Sequence, residues 1–305
     1  MKARYHFLSA LVIACAFLSA ISCDPKVYLP DDGDDAWTWN KDKDKPGEGG
    51  SGEGGSSDTT PFYPKPAGSF RVMTYNVGVF SKYQNNSTDM VAAMIKELEA
   101  DVVCLNELDS CNTRHNVNQV AMLASALGSW QWKFGKALDF RNGKYGNGVV
   151  VPKDVKIIDR YTVTLPKGSG SEQRSIAVVE TDKYVIGAAH LEYSSVEAAN
   201  AQAEVVNSWA SKNYNHYDKP VFFCGDMNMT PDQAPIATLK GSWEILSETG
   251  LTYPSTNPTK CIDYIFHYKN SKEVKLLGSH VATKFHNGDV TKASDHNPVY
   301  VDVQF

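Results

Sequence analysis

Several polar side chains in this sequence stand at the ends of short apolar runs, where turn-forming residues would ordinarily take over. The run at 70–75 ends in Asn76, that at 102–105 in Asn106 and Glu107, and that at 184–189 in His190. The run at 221–224 ends in Gly225-Asp226-Met227-Asn228. Asp263 sits inside Ile262-Asp263-Tyr264-Ile265-Phe266, and Ser294-Asp295-His296-Asn297-Pro298 immediately precedes the last apolar run. If these ends meet at one edge of a sheet pair, the carboxylates and amides supply hard oxygen ligands for a divalent cation such as magnesium. The two histidines would then supply proton transfer. Taken singly, each residue has a blander explanation. Asn76 reads as a turn residue, Glu107 as a solvated acid, His190 as a hydrogen-bonded core histidine and Gly225-Asp226 as turn chemistry. Asp263 differs, because a carboxylate within a buried strand needs a partner. His296 is a natural one, since an Asp–His pair fixes the imidazole tautomer and raises its basicity.

Placing such groups requires a frame of strands. The runs at 70–75, 102–105, 148–151, 175–180, 184–189, 220–224, 261–266, 274–277 and 299–303 are rich in Val, Ile, Phe and Tyr and bounded by Gly, Pro, Asn and Asp. The spacing predicts helices over 89–99, capped by Ser87 or Thr88, and over 117–127. It predicts two more over 196–212, capped by Ser194 or Ser195, and over 232–240, with Pro231 in the first turn. In the first, Met90, Ala93, Met94, Glu97 and Leu98 share one mostly apolar face. Strands outnumber helices and several follow one another directly, which argues for two packed sheets flanked by helices in one α/β domain from about residue 68 to 305.

In chain order, Arg71-Val72-Met73-Thr74-Tyr75-Asn76, Asp101-Val102-Val103-Cys104-Leu105-Asn106-Glu107, Ala189-His190-Leu191 and the three segments around Asp226, Asp263 and His296 form a set of six motifs. The set resembles the endonuclease/exonuclease/phosphatase superfamily, to which deoxyribonuclease I and exonuclease III belong. The resemblance runs from residue 70 to the end of the sequence. It implies a four-layered α/β sandwich, two packed mixed β-sheets flanked by helices, and a metal-dependent phosphoric ester hydrolase using Mg2+, with Mn2+ as a substitute. It implies Glu107 as principal metal ligand, helped by Asn76 and Asp295. His296, oriented by Asp263, would position or deprotonate the attacking water, and Asp226 would share that duty or protonate the leaving oxygen. Asn228 and His190 would donate hydrogen bonds to phosphoryl oxygens. The departures are Asn106 where Gln is usual, Ala189 where Thr is common and Met227 where Phe is common; none removes a charged group.

Three more residues are candidates for touching substrate. Arg174, just before a strand, is a phosphate clamp or a surface charge. Asn147, in the glycine-rich stretch 140–148, lines the cleft or belongs to a hairpin turn. Arg114, after the Glu107 loop, reaches phosphate or is solvated. Specificity is expected in loops at 78–88, 110–116, 135–147 and 251–260.

Residues 1–23 read as a signal peptide, with Lys2 and Arg4 ahead of an apolar run and Ala20-Ile21-Ser22-Cys23 resembling a lipobox. Cys23 would then carry acyl chains and anchor the protein to the bacterial envelope; ordinary secretion is the alternative. Residues 24–67 read as a flexible acidic, Gly/Ser-rich linker. Residues 1–67 hold 7 basic and 10 acidic side chains, so of 30 and 35 in all, 23 and 25 remain for the body. A body so near neutrality has no overall field for gathering nucleic acid. Cys104, Cys111, Cys224 and Cys261 fit no zinc spacing, and Cys104 and Cys224 read as core residues. The expected function is hydrolysis of a small phosphoester or lipid headgroup outside the cytoplasm, by a monomer. A surface nuclease is the alternative, and a non-catalytic surface binding protein a third.

Overall fold

The computed structural model describes residues 60–305. The signal-like segment with Cys23 and the Gly/Ser run lie outside the described residues. Among the described residues no helix is long and apolar enough to cross a membrane.

One six-stranded sheet has the order β11(Lys275–Val281), β12(Val299–Gln304), β1(Phe70–Asn76), β2(Val102–Ser110), β4(Gly143–Val151), β3(Gln131–Phe140). The other has the order β5(Ile157–Thr164), β6(Ser175–Thr181), β7(Val185–His190), β8(Val221–Asp226), β10(Asp263–Tyr268), β9(Trp243–Ile245). Both are mixed: β1 and β2 run parallel, as do β7 and β8, and their other pairings are antiparallel.

Period-two alternation sorts the side chains into layers. Val72, Cys104, Val149 and Val301 of the first sheet meet Ala177, Ile186, Phe222 and Ile265 of the second in the central core. The alternate residues Met73, Tyr75, Val103 and Leu105 pack under α1(Thr88–Glu97) and α2(Gln119–Ala126). Val178, Val185 and Phe223 pack under α3(Val196–Tyr214) and α4(Ala234–Ser242). Helix, sheet, sheet and helix make the four-layered sandwich. A short α5(Val290–Ala293) precedes β12. Cys104 and Cys224 are buried free thiols of the central core.

The strands that periodicity does not reveal are β3, β5 and β9, and all three are sheet edges. An edge strand has one partner and lies half in solvent, so it lacks the continuous apolar run of a buried strand. The stretch 135–147 is therefore no loop: it is a β3–β4 hairpin turning at Arg141 and Asn142, both with positive φ. Helix α4 begins later than its sequence suggests, with Pro235 rather than Pro231 in its first turn. Ser87 stands at the N-cap of α1, as expected, but its side chain makes no capping bond; its Oγ donates to the Ala293 carbonyl at 2.9 Å.

Composition places residues up to 67 in the linker, yet 60–67 pack on the domain. Phe62 stacks on His286 at 4.3 Å, the Tyr63 carbonyl accepts from Arg71 Nη1 at 3.0 Å, and Lys65 Nζ lies 2.6 Å from Asp101. Arg71, fully buried, is neutralised by a two-pronged bond to Asp302. These contacts hold the start of β1, the end of the strand away from Asn76.

Candidate active site

Strand register assembles the site. Asn76 lies opposite Asn106 across the parallel pair β1–β2. In the second sheet His190 lies opposite Asp226, and Asp226 opposite Asp263, so three ionisable residues stand side by side on three adjacent strands. Asn106 fastens the two sheets together beneath them. Its Nδ2 donates to the Ala189 carbonyl at 2.8 Å and to Asn147 Oδ1 at 3.0 Å, and its Oδ1 accepts from the Asp226 backbone N–H at 2.9 Å. Asn147 Nδ2 donates onward to the Ser175 carbonyl at 2.9 Å. Asn147 is thus 2% exposed with both ends of its amide spent inside the protein: it braces the cleft and is not free to bind substrate. Gly225 is required here, since at φ +140° a Cβ would fall 1.9 Å from the Ala189 carbonyl oxygen.

Glu107 occupies a break in the β2–β4 register with φ +57°. Such a bulge re-aims a side chain at the end of a strand. Asn76 Nδ2 donates to Glu107 Oε1 at 3.1 Å and to Asp226 Oδ2 at 3.0 Å, while its Oδ1 accepts from the Gly78 N–H. Ser294 Oγ donates to the Asn76 carbonyl at 2.6 Å, which ties the segment carrying Asp295 and His296 to the end of β1. Asp295 Oδ2 lies 2.8 Å from Lys82 Nζ.

His296 is held between two acids. Its Nδ1 is 2.9 Å from Asp263 Oδ2, the partner expected of it, and its Nε2 is 3.6 Å from Asp226 Oδ2. Burial opposes charge on this imidazole, but the Asp263 and Asp226 carboxylates outweigh it and raise the pKa to about 10. Burial pushes the Asp226 carboxyl up to about 7, aided by Asp263 and opposed by His296. His190, with Nε2 3.5 Å from Asp226 Oδ2, is driven well below its ordinary value by burial, Arg174 and His296. It is therefore neutral, and its Nδ1 has no hydrogen-bond partner among the described residues.

The structure decides two open alternatives. Arg174 is no surface charge. It is 2% exposed, with Nη2 3.2 Å from Glu172, Nε 3.7 Å from Glu192 and, among the described residues, no hydrogen bond from Nε. Arg114 is exposed, as a solvated side chain would be, and its fork is not free for phosphate. Its Nε and Nη2 donate to Asp109 at 2.7 and 2.9 Å, and its guanidinium lies 4.8 Å from the Phe140 ring centroid. Asn228 adopts φ +53° and donates from Nδ2 to the Leu191 carbonyl at 2.9 Å, so its amide is turned toward the β7 end. Lys82 and Tyr253, whose ring centroid lies 4.8 Å from His296, belong to the site without belonging to any motif.

Two groups suit a cation. Glu107 and Asp295 offer carboxylate oxygens with Asn76 beside them, and the Lys82 ammonium lies against Asp295. This donor set fits a hard divalent ion. Ligand atoms of Asp226, Asp263 and His296 also lie within 4.8 Å of one another. There, however, His296 Nδ1 is engaged by Asp263, which suits that group to proton transfer.

Two packed, mixed six-stranded sheets flanked by helices define the deoxyribonuclease I-like class of α/β sandwich. The chain belongs to the Endonuclease/Exonuclease/phosphatase family, whose sequence model it matches over residues 73–296. No curated protein matches the sequence. Among solved structures, it is similar to an endonuclease/exonuclease/phosphatase from Bacteroides vulgatus, with TM-score 0.63 and 19% identity over 78% of this chain and 99% of that one. It is also similar to a mannosyl-6-phosphatase from Bacteroides thetaiotaomicron, with TM-score 0.64 and 17% identity over 77% and 100%. A third is D. rerio TDP2 complexed with a single-strand DNA product, with TM-score 0.59 and 19% identity over 78% and 99%. At these identities the likeness is one of fold.

Proposed function

We propose that the protein is a divalent-metal-dependent hydrolase of phosphoester bonds, using Mg2+ or Mn2+. Its substrate would be a small phosphoester or lipid headgroup outside the cytoplasm. The observation that carries the reading is the pairing of His296 between Asp263 and Asp226 beside the Glu107/Asp295 pocket. The cation, held by Glu107 and Asp295 with Asn76 alongside, would offset charge developing on the phosphoryl oxygens. The chain's own groups divide the remaining work. Asp226, with a pKa of about 7, is matched to removing a proton from water near neutrality. His296, raised to about 10, is an imidazolium at that pH and donates a hydrogen bond. This differs from the sequence expectation, which gives the basic duty first to His296. Neutral His190, through Nδ1 as the N–H tautomer, and the buried Arg174, through an Nε that is ion-paired to Glu192, would donate to phosphoryl oxygens; neither atom has a hydrogen bond among the described residues.

The near-neutral body supports a small substrate over a polyanion, and a mannosyl-6-phosphatase stands among the fold's neighbours. The signal-like start and Cys23 support a lipid-anchored envelope protein, which we propose acts as a monomer. Fatty-acid label that persists after Cys23→Ala would reject the anchor. A phosphoester panel assayed with magnesium tests the function, spanning sugar phosphates, nucleotides, inositol phosphates, sphingomyelin, DNA and RNA. Turnover of a small ester that is lost to chelator and restored by Mg2+ is expected. Cleavage of plasmid DNA alone, steeply salt-dependent, would make it a nuclease. No turnover on any ester would leave a binding protein.

A further inference from the structure

Lys82 lies outside every motif that marks the family, yet its ammonium sits 2.8 Å from Asp295 Oδ2. Its stem comes from the segment between the 3-10 turn Gly78–Phe80 and α1. Gly78 leaves room for it: a Cβ there would lie 3.1 Å from Lys82 Cβ and 3.5 Å from Asp295 Oδ1. The two partners differ in exposure. The Asp295 side chain is 8% exposed and cannot rely on water for its charge, whereas that of Lys82 is 44% exposed and tethered by a flexible stem. Glu107, bound to Asn76 at 3.1 Å, adds a second negative charge to the same pocket.

We propose that Lys82 is a tethered counter-ion of the Glu107/Asp295 pocket that competes with the divalent cation and so sets the affinity of the site. A compact ammonium and a divalent ion cannot share one carboxylate at contact distance without strong repulsion. Cation entry therefore displaces Lys82 into water, at little cost to a side chain already half exposed, and the binding free energy is lowered by the lost pair. The inference rests on Glu107 and Asp295 being cation ligands, as the proposed function has them. It concerns binding alone and needs no substrate.

Calorimetric titration of Mg2+ and, separately, Mn2+ into the intact protein tests it, comparing wild type, Lys82→Met, Lys82→Arg and Glu107→Gln. Lys82→Met should bind about two- to fivefold more tightly, the range expected when a half-exposed pair no longer has to be broken. Lys82→Arg should stay within about twofold of wild type. The gain in Lys82→Met should persist in 0.5 M KCl, where charges more than about 5 Å apart are screened. Unchanged or weaker affinity in Lys82→Met overturns the proposal, as does a gain that vanishes in salt and so reports only a diffuse field. Glu107→Gln should bind weakly; if it binds like wild type, the cation site itself is misassigned and the inference falls with it.

Discussion

Asp226→Ala is expected to lower turnover of a phosphoester by about two to four decades at saturating magnesium, with His296→Ala falling in the same range. The size follows from what each side chain touches. Asp226 Oδ2 is within 3.0 to 3.6 Å of Asn76 Nδ2, His190 Nε2 and His296 Nε2, so its loss removes the proton acceptor and the common partner of three site residues. His296 in turn leaves Asp263 buried at 1% exposure with its only partnered oxygen orphaned. The double variant should cost scarcely more than either alone, because the residues act as one unit. The pH profile separates them. Burial holds the Asp226 proton until about pH 7, and a base must be free of its proton to work. Wild-type kcat should therefore rise with pH through about 7, and this limb should vanish in Asp226→Ala. A decline at high pH, as the His296 imidazolium loses its proton near about 10, should vanish in His296→Ala instead. Near-normal rates in both variants would contradict the assignment.

Asn106→Leu should destabilise the fold by about 3 kcal/mol or more and also slow turnover. Leucine matches the volume, so the effect is one of hydrogen bonding. The Ala189 carbonyl, the Asp226 N–H and Asn147 Oδ1 would all be left buried without the partner they have now. Each buried polar group deprived of its partner costs on the order of 1–3 kcal/mol. The catalytic loss has a separate origin: this amide pins the Asp226 backbone to the opposite sheet. A displacement of a few tenths of an ångström there moves the carboxylate away from His296 and Asn76. Urea unfolding read with kcat at a temperature where the variant is folded distinguishes the two effects. Asn106→Gln keeps the amide and should be milder in both, its added methylene costing about 1–3 kcal/mol if the pocket cannot expand. Wild-type stability in Asn106→Leu would remove Asn106 from the account.

The central strands were legible because they are buried on both faces. β1, β2, β7, β8 and β10 carry near-continuous apolar runs, and each breaks its pattern where Asn76, Glu107, His190, Asp226 or Asp263 appears. A polar residue in such a run is conspicuous, and the Asp263–His296 pair could be anticipated because a buried carboxylate needs a partner. Edge strands β3, β5 and β9 have no such contrast, so 135–147 looks like a loop. The fates of Asn147, Arg114 and Lys82 depend on which neighbour arrives in space. Nothing local tells Asn147 that Asn106 and Ser175 will consume its amide, Arg114 that Asp109 will face its fork, or Lys82 that Asp295, some two hundred residues away, will meet it. Asn106 carried a signal, its departure from the usual Gln, which marked the position but not its bridging of two sheets.

The central claim is that water activated beside Asp226 and His296 attacks phosphorus next to a cation held by Glu107 and Asp295. Hydrolysis in 18O-labelled water, followed by 31P NMR, reads it directly with any ester the panel shows to be turned over. The label should enter the phosphate product, only when Mg2+ or Mn2+ is supplied, and not at a measurable rate in Asp226→Ala. Label in the released alcohol instead, or equal incorporation after exhaustive chelation, would contradict it.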